Sequence, residues 1–306
     1  MSRLELPALP TVSGSYRWLY ADVACGDVTA VFIFMLGSIF SPRYSAALSR
    51  GGLPLSHCAV NFALYQGGER RLWVLSEYDG AALEDDGRTL RIGRSTIGYG
   101  PSGDLRVQVR ERTAPWGRPA EATLTLTPRC QSYPELALDP RGRHFWRPLA
   151  ARADARLVLP LDGLALEGHG YHDTNHGEEP LGRGITGWRW SRVHRPDATY
   201  IDYHVDGEPR PIQVVASERE LVLIRGDRPA PFPEHSTWGL KVPKMVRAGN
   251  EVLSSGTLLE GAPFYARYEA RERGAHVLGE VADFRRFHSP FIRWMAHFRT
   301  RVEEVA

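Results

Sequence analysis

The sequence is poor in cysteine, which excludes several kinds of site. Only Cys25, Cys58 and Cys130 occur among 306 residues, and no two of them form a CxxC pair. An odd number of widely spaced cysteines argues against a disulfide framework and against a cysteine-based zinc site. We therefore expect a cytoplasmic protein in which the three thiols are reduced and packed as small apolar side chains.

Long apolar runs and an excess of one charge are also absent. The longest apolar stretch, residues 28–39, is too short to span a bilayer, and no basic-then-apolar leader is seen. With 38 basic and 36 acidic residues the net charge is +2, so nothing global favours nucleic acid as a partner. We expect either a soluble chain or one that touches the inner membrane only at its surface.

The motifs of several common enzyme classes are missing as well. There is no GxSxG elbow, no HExxH helix and no glycine-rich phosphate loop, which disfavours a serine hydrolase, a zinc protease and a nucleotide-dependent enzyme. His169, His172 and His176 with Asp173 could form a metal site, but a period of two places His169 and His172 on opposite faces of a strand. We therefore predict neither a metal nor a cofactor.

Long helical stripes are not seen before residue 283, and the period of the chain is two. Short segments rich in β-branched and aromatic residues alternate with turn clusters, which is typical of antiparallel sheets that form sandwiches or barrels. The sequence therefore predicts an all-β fold. The strands it predicts include residues 28–36, 58–65, 71–76, 105–109, 122–127, 156–159, 188–193, 199–205, 212–215, 221–224 and 264–270.

The stretch 175–184, rich in Gly and Pro, is the best candidate for a domain boundary. We predict an N-terminal β domain over residues 11–177, a C-terminal β domain over 178–283 and a tail over 284–306. A dense polar cluster ends at this boundary, and clefts between domains commonly bind ligands.

That cluster is the window 168–177, GHGYHDTNHG, which contains three histidines, an aspartate, an asparagine and three glycines. No other window carries so many side chains that handle protons. Because glycine allows close backbone approach and positive φ, we interpret the window as a tight corner and not as a regular strand packed on both faces. The sequence predicts a site in a crevice at this corner.

The tail combines aromatic and basic residues at helical spacing. Aromatic residues recur at three- and four-residue steps among the five arginines of segment 284–301. One interpretation is a helix that caps the barrel. The other is a shallow contact with anionic lipid, in which Phe291 and Phe298 enter the headgroup boundary beside Arg293 and Arg299.

Eight segments, in order along nearly the whole chain, together resemble one known family. They are SYRWLYADV, FIFMLGSIFSPRYSAAL, HCAVNFALY, HFWRPLAARADARLVL, GYHDTNHG, GWRWSRVH, TYIDYHVDG and DFRRFHSPFIRWMAHFRTR. With these segments the chain resembles the carotenoid 1,2-hydratases, also called hydroxyneurosporene synthases. The resemblance implies a pair of lipocalin-like antiparallel β domains and cofactor-free addition of water to the terminal C1=C2 double bond of an acyclic carotenoid such as neurosporene or lycopene. Related proteins of this fold include pericyclases that close rings on polyenes.

One segment departs from the pattern typical of that family. Where the family often reads HDHNWG, this chain has Thr174 at the second histidine and His176 at the tryptophan. If these positions touch the substrate, the substrate or the arrangement of the acid differs here.

Hydration of an isolated alkene requires a proton donor to carbon, a wall that tolerates a cation, and an ordered water. A carboxylic acid kept protonated by burial can deliver the proton. Tyr200 and Asp202 are two apart in a predicted strand and share a face, so we prefer Asp202 as the acid, oriented by Tyr200. His204 continues that face and could tune Asp202 or contact the substrate. The alternative is that Asp202 is an ordinary surface carboxylate.

Asp173 is the rival acid. It lies beside His172, and Asn175 and His176 could position the water or accept its proton. Aspartate and asparagine in a Gly-rich segment can equally serve as turn formers that bind their own backbone.

Trp188 and Trp190 alternate on one strand face, where indoles could stabilise a cation and pack a polyene or simply fill the core. Two other functions stay open. A carrier of an apolar isoprenoid ligand would need the pocket without the acid, and a pericyclase would leave the mass of its polyene substrate unchanged.

Overall fold

Antiparallel β-strands account for most of the chain. The computed structural model describes residues 5–38, 40–130, 132–224, 232–297 and 299–303. It confirms the predicted all-β class with few helices. Every segment that the sequence predicted as a strand lies within a strand of the structure, except that Phe264 lies one residue before the strand Tyr265–Glu272.

Among the described residues the first sheet has thirteen strands, and it curls so that strands near one end of the sheet contact strands near the other end. Neighbouring strands are antiparallel, except for one parallel pair formed by the tail strand Arg301–Val302 with the strand Glu69–Tyr78. In spatial order the strands are β24 (Arg301–Val302), β4 (Glu69–Tyr78), β3 (Cys58–Gln66), β2 (Val28–Leu36), β1 (Tyr16–Cys25), β12 (Leu164–Gly177), β11 (His144–Leu159), β9 (Pro119–Pro128), β8 (Leu105–Arg112), β7 (Ser95–Tyr99), β6 (Thr89–Ile92) and β5 (Leu83–Asp85), with β10 (Leu136–Ala137) also paired to β11.

The second sheet has seven strands, and two separate two-stranded ribbons accompany it. Residues 178–186 join β12 to β13, near the predicted domain boundary; the division into domains itself stays a prediction. The sheet order is β16 (Leu221–Ile224), β15 (Ile212–Ser217), β14 (Ala198–Val205), β13 (Gly187–His194), β23 (Ala275–Asp283), β22 (Tyr265–Glu272) and β21 (Thr257–Ala262), and the ribbons are β17 (Glu234–Thr237) with β18 (Leu240–Pro243) and β19 (Met245–Ala248) with β20 (Glu251–Ser254).

Helices are short. The α-helices are α1 (Pro42–Leu48) and α2 (Pro290–His297), and 3-10 helices cover Pro54–Ser56, Gly80–Ala82, Pro160–Asp162 and Phe284–His288. No helix in the described part of the chain is long and apolar enough to cross a membrane.

Three apolar clusters occupy the space around the two sheets. Strand β1 shows how the period of two sorts residues: Leu19 and Ala21 join the core inside the first sheet, whereas Trp18 and Tyr20 join the cluster shared with the second sheet. A third core lies on the far side of the second sheet, against the two ribbons. Both sheets are therefore packed on both faces along much of their length.

Candidate active site

The aromatic cluster between the two sheets encloses a cavity of about 280 Å³. The first sheet contributes residues from β1, β2, β3, β4 and β12, and the second sheet contributes residues from β13, β14, β21, β22 and β23. The segment before α1, the turn between β17 and β18, and the end of α2 border the remaining side. The lining includes Trp18, Tyr20, Phe40, Asp173, Asn175, Trp188, Trp190, Tyr203, Trp238, Glu260, Arg267, Glu280, Met295 and Arg299. An apolar cavity with a few convergent polar groups is the usual form of a small-molecule site.

The window 168–177 is not a corner, and that interpretation was wrong. All ten residues lie in strand β12, which pairs with β1 on one side and β11 on the other. Its glycines serve close packing: a Cβ on Gly168 would lie 2.0 Å from the Ala24 carbonyl oxygen, and one on Gly170 would lie 2.3 Å from Leu126. Strand alternation therefore separates the polar residues of the window onto two faces.

Tyr171, Asp173 and Asn175 fall on the face toward the second sheet. The indole N–H of Trp146 donates to Asp173 Oδ2 at 2.7 Å, and the Tyr171 hydroxyl donates to the same oxygen at 2.6 Å. Among the described residues no donor reaches Oδ1. Since Oδ2 already accepts two hydrogen bonds, the acidic proton of a neutral Asp173 belongs on Oδ1.

Burial raises the pKa of Asp173 to about 7, although the hydrogen bonds from Tyr171 and Trp146 act in the opposite direction. Nearby carboxylates, Glu280 first among them, add to the increase. The loss of hydration therefore outweighs two strong donors. A carboxyl group with this pKa is protonated in a large fraction of molecules near neutral pH, as a general acid must be.

Asn175 lies two residues further along the same face. Its Nδ2 donates to the Tyr203 hydroxyl at 2.8 Å, which leaves Asn175 Oδ1 as an acceptor beside Asp173. Trp18 and Trp190 are buried, and their indole N–H groups have no acceptor among the described residues. These groups can hold a water or a hydroxyl in an otherwise apolar space.

Aromatic rings form the wall opposite Asp173. The ring of Trp190 lies 5.3 Å from that of Tyr171 and 5.5 Å from that of Tyr20, and Trp188 lies 5.4 Å from Trp18. The negative faces of such rings can stabilise a cation in a site where water is scarce.

A second polar group borders the same cavity. Arg267 is 1% exposed and donates to Glu280 at 2.8 Å, to Glu260 at 2.8 Å and to the Tyr65 hydroxyl at 2.9 Å. The guanidinium thereby compensates buried carboxylates that would otherwise be costly.

Asp202, the preferred acid of the sequence analysis, does not line the cavity. Tyr200, Asp202 and His204 share a face as predicted, but the cavity side of β14 is the face that carries Tyr203. Gln213 donates to Asp202 at 2.9 Å, and burial raises the pKa of Asp202. Because Tyr200 packs against the core beneath the ribbons, the geometry does not support a catalytic role for Tyr200 and Asp202 or a substrate contact for His204.

His172 also lies away from the cavity. Its Nδ1 is 2.7 Å from the Tyr20 carbonyl and its Nε2 is 2.8 Å from the Tyr99 hydroxyl. Burial lowers its pKa to about 4, so the ring is a neutral bridge between strands and not a substrate contact.

The two departures from the family pattern share that remote face. Thr174 donates its hydroxyl to the Trp18 carbonyl at 2.8 Å. His176 stacks on Phe145 with ring centroids 4.9 Å apart, and burial lowers its pKa to about 4. The cavity is therefore lined without Thr174 and His176, and His176 is not placed to handle a proton there.

Four of the nine proposed site residues thus meet at the cavity: Asp173, Asn175, Trp188 and Trp190. Sequence reasoning missed Trp146, Tyr171 and Tyr203. Tyr171 and Asp173 have the same two-residue spacing that drew attention to Tyr200 and Asp202, so the signal for Tyr171 was present. The described residues hold no group of three or more His, Cys, Asp or Glu side chains placed to bind a metal ion.

Comparison with known proteins gives one family. The sequence profile of the family described as "Carotenoid hydratase CrtC" matches residues 32–304. The chain is 35% identical to the acyclic carotenoid 1,2-hydratase of Thiocapsa roseopersicina over 97% of this chain and 75% of that protein. It is 30% identical to the acyclic carotenoid 1,2-hydratase of Rhodobacter capsulatus over 87% of this chain and 96% of that protein.

Solved structures share the fold at low sequence identity. A putative AttH from Nitrosomonas europaea superimposes with a TM-score of 0.58 at 13% identity, covering 92% of this chain and 97% of that one. Kievitone hydratase from Nectria haematococca gives a TM-score of 0.52 at 11% identity, covering 90% of each chain. These neighbours support the lipocalin-like β architecture.

Proposed function

We propose that this chain, which belongs to the carotenoid hydratase CrtC family, adds water to the terminal C1=C2 double bond of an acyclic carotenoid of the neurosporene or lycopene type. The observation that carries the proposal is Asp173: a buried carboxyl with a pKa of about 7, held by two donors and facing an aromatic cavity.

The first step is proton transfer to carbon. Asp173 Oδ1 gives its proton to C2, the π electrons of the double bond form the new C–H bond, and the positive charge develops on the tertiary carbon C1. Trp146 and Tyr171 stabilise the carboxylate that is left, because both donate to its other oxygen. The rings of Tyr20, Trp188 and Trp190 stabilise the cation.

The second step is capture by water. A water that donates to Asn175 Oδ1 attacks C1 and forms the C–O bond. Its surplus proton returns to the Asp173 carboxylate, which restores the acid for the next turnover. The reaction is redox-neutral, and Asp173 both donates the first proton and accepts the last one. The proposed mechanism therefore requires no cofactor.

The wall of the cavity explains why an apolar end group would bind. Its aromatic lining matches a hydrocarbon, and apart from tyrosine hydroxyls its polar side chains are few: Asn61, Asp173, Asn175, Arg299 and the cluster of Arg267 with Glu260 and Glu280. The expected product retains the polyene and gains one tertiary hydroxyl.

Expression in cells that make lycopene or neurosporene tests the proposal. Pigment with the mass of the substrate plus one water is expected, and it should disappear with the variant Asp173→Asn. An isomer of unchanged mass would indicate a pericyclase instead, and unchanged pigment that copurifies with the protein would indicate a carrier.

A further inference from the structure

The cavity reaches the surface at an exposed tryptophan. Trp238 lines the cavity and is nevertheless 66% exposed. Two more large aromatic side chains stand exposed on helix α2, Phe291 at 63% and Trp294 at 55%. We call Trp238, Phe291 and Trp294 the entrance patch.

Hydrogen bonds hold Trp238 in an unfavourable backbone conformation. Trp238 has a φ of 51°, a left-handed conformation that is unfavourable for a bulky residue. Arg286 donates to the carbonyls of Trp238 and Gly239, each at 2.8 Å, and to that of Pro263 at 2.9 Å. Strained backbone that the surrounding structure enforces often marks functional use, and here it positions a tryptophan toward solvent.

Helix α2 has a cavity side and a solvent side. Met295 lines the cavity, whereas Phe291 and Trp294 stack with ring centroids 5.9 Å apart on exposed surface. The 3-10 helix before α2 is anchored, since Phe287 packs 4.1 Å from Phe264. This part of the tail therefore caps the cavity, and α2 carries an aromatic pair at its rim.

Charge in this part of the chain is one-sided. Residues 283–303 contain five arginines and two carboxylates, an excess of three positive charges, although the whole chain is nearly balanced. Asp283 pairs with Arg285 and Arg286, and Glu303 pairs with Arg301. Exposed aromatic rings beside basic residues are typical of proteins that lie on anionic bilayers. Arg299, which the sequence analysis placed against lipid, instead lies over the Trp73 ring at 4.0 Å, and Phe298 lies outside the described residues.

We propose that the entrance patch docks on the surface of an anionic bilayer, so that a hydrophobic substrate passes from the lipid directly into the cavity. The inference rests on the proposed function, because an acyclic carotenoid is dissolved in lipid and not in water. A bilayer fits better than a protein partner, since a protein seated on the patch would close the only side on which an exposed residue of the described chain lines the cavity.

Vesicle flotation with purified full-length protein tests the docking. The variant Phe291→Ser/Trp294→Ser should bind anionic vesicles about tenfold or more weakly, because two large aromatic side chains no longer enter the interface. A matched control is Leu161→Ser/Leu164→Ser, which removes two exposed apolar side chains at the remote β11–β12 turn and should bind like the original protein. Binding should fall in high salt and with zwitterionic vesicles.

Turnover separates a failure of docking from a failure of the proposed function. The aromatic variant should lose most of its activity on a polyene embedded in vesicles and keep its activity on a short isoprenoid dispersed in detergent. Equal flotation of the aromatic variant and the original protein, or no flotation by either, would overturn the docking inference. Absence of hydration in both assays by the original protein would overturn the proposed function.

Discussion

At the scale of single residues, opposing effects set the protonation state of Asp173. Hydrogen bonds from Trp146 and Tyr171 favour its charged form, whereas burial favours its neutral form, and burial prevails. The residue is therefore a weak acid that is protonated in about half of the molecules at neutral pH. A stronger acid would be ionised before it met the substrate.

The pH dependence of kcat/KM follows from this balance. Because the acid must be protonated, kcat/KM should be constant below a pH of about 7 and fall about tenfold per pH unit above it. In Tyr171→Phe the carboxylate loses a donor, the pKa of Asp173 rises, and the falling limb should move to higher pH. Tyr99→Phe, which alters the hydroxyl beside His172, is the control. A profile that does not move in Tyr171→Phe would contradict the assignment.

The same pKa predicts a cost in stability. The pKa of Asp173 is 3.8 in the unfolded chain and about 7 in the folded protein. Its contribution to the free energy of unfolding is therefore fully present below pH 3.8 and is lost as the pH rises to about 7. The loss amounts to about 4 kcal/mol. Asp173→Asn should therefore gain stability over the original protein as pH rises from about 4 to about 8, as measured by chemical unfolding. A constant difference across that range would show that Asp173 is not buried in its neutral form.

At the scale of elements, strand β14 shows what the sequence could predict and what it could not. The alternation of residue types correctly predicted strands, and it correctly placed Tyr200, Asp202 and His204 on one face. It did not show which face borders the cavity, because the polar face with Asp202 suggested an acid site, whereas the face toward the cavity carries Tyr203 beside the apolar residues Ile201 and Val205.

The glycines of β12 misled the sequence analysis for a related reason. Gly168 and Gly170 are required where neighbouring strands of the sheet approach β12 closely. The sequence alone does not distinguish this role of glycine from a role in a turn. Trp146 was missed because its contact with Asp173 joins two strands, which becomes visible only when the register of β11 and β12 is known.

A substitution in β12 tests this packing. Gly168→Ala places a Cβ 2.0 Å from a backbone oxygen of β1, and backbone cannot move as easily as a side chain. We expect a loss of about 1–3 kcal/mol in the free energy of unfolding. The neighbouring exposed Glu167→Ala should change stability by less than about 0.5 kcal/mol. Equal effects of the two variants would show that the strands can separate freely at this point.

At the scale of the whole molecule, the space between the sheets carries both the cavity and a buried ion network. Arg192 and Asp22 are both 0% exposed, and Arg192 Nε donates to Asp22 Oδ1 at 2.8 Å. Arg192 also contacts His276 at 2.8 Å, and His276 contacts Glu269 at 2.6 Å. Strands β1, β13, β22 and β23 are thereby linked across the space between the two sheets, beside the cavity and not through its lining.

Removing one partner of this pair should be costly. Arg192→Met leaves Asp22 buried without its cation, and the free energy of unfolding should fall by about 3–5 kcal/mol. Asp22→Leu added to that variant should restore much of the loss, since neither charge then remains. Arg195→Met removes the half-exposed pair with Glu251 and should cost about 1 kcal/mol or less. If the double variant is less stable than Arg192→Met, the pair is not the cause.

In the proposed mechanism, Asp173 protonates the terminal double bond inside the cavity between the sheets. Incubating the purified protein with an acyclic carotenoid in deuterium oxide tests this step, with mass spectrometry and NMR of the product as the readout. With the original protein and with Asp202→Asn, one non-exchangeable deuterium at C2 and a new hydroxyl at C1 are expected. With Asp173→Asn, whose fold is retained, no labelled product is expected. Labelled alcohol formed by Asp173→Asn but not by Asp202→Asn would contradict the proposed mechanism.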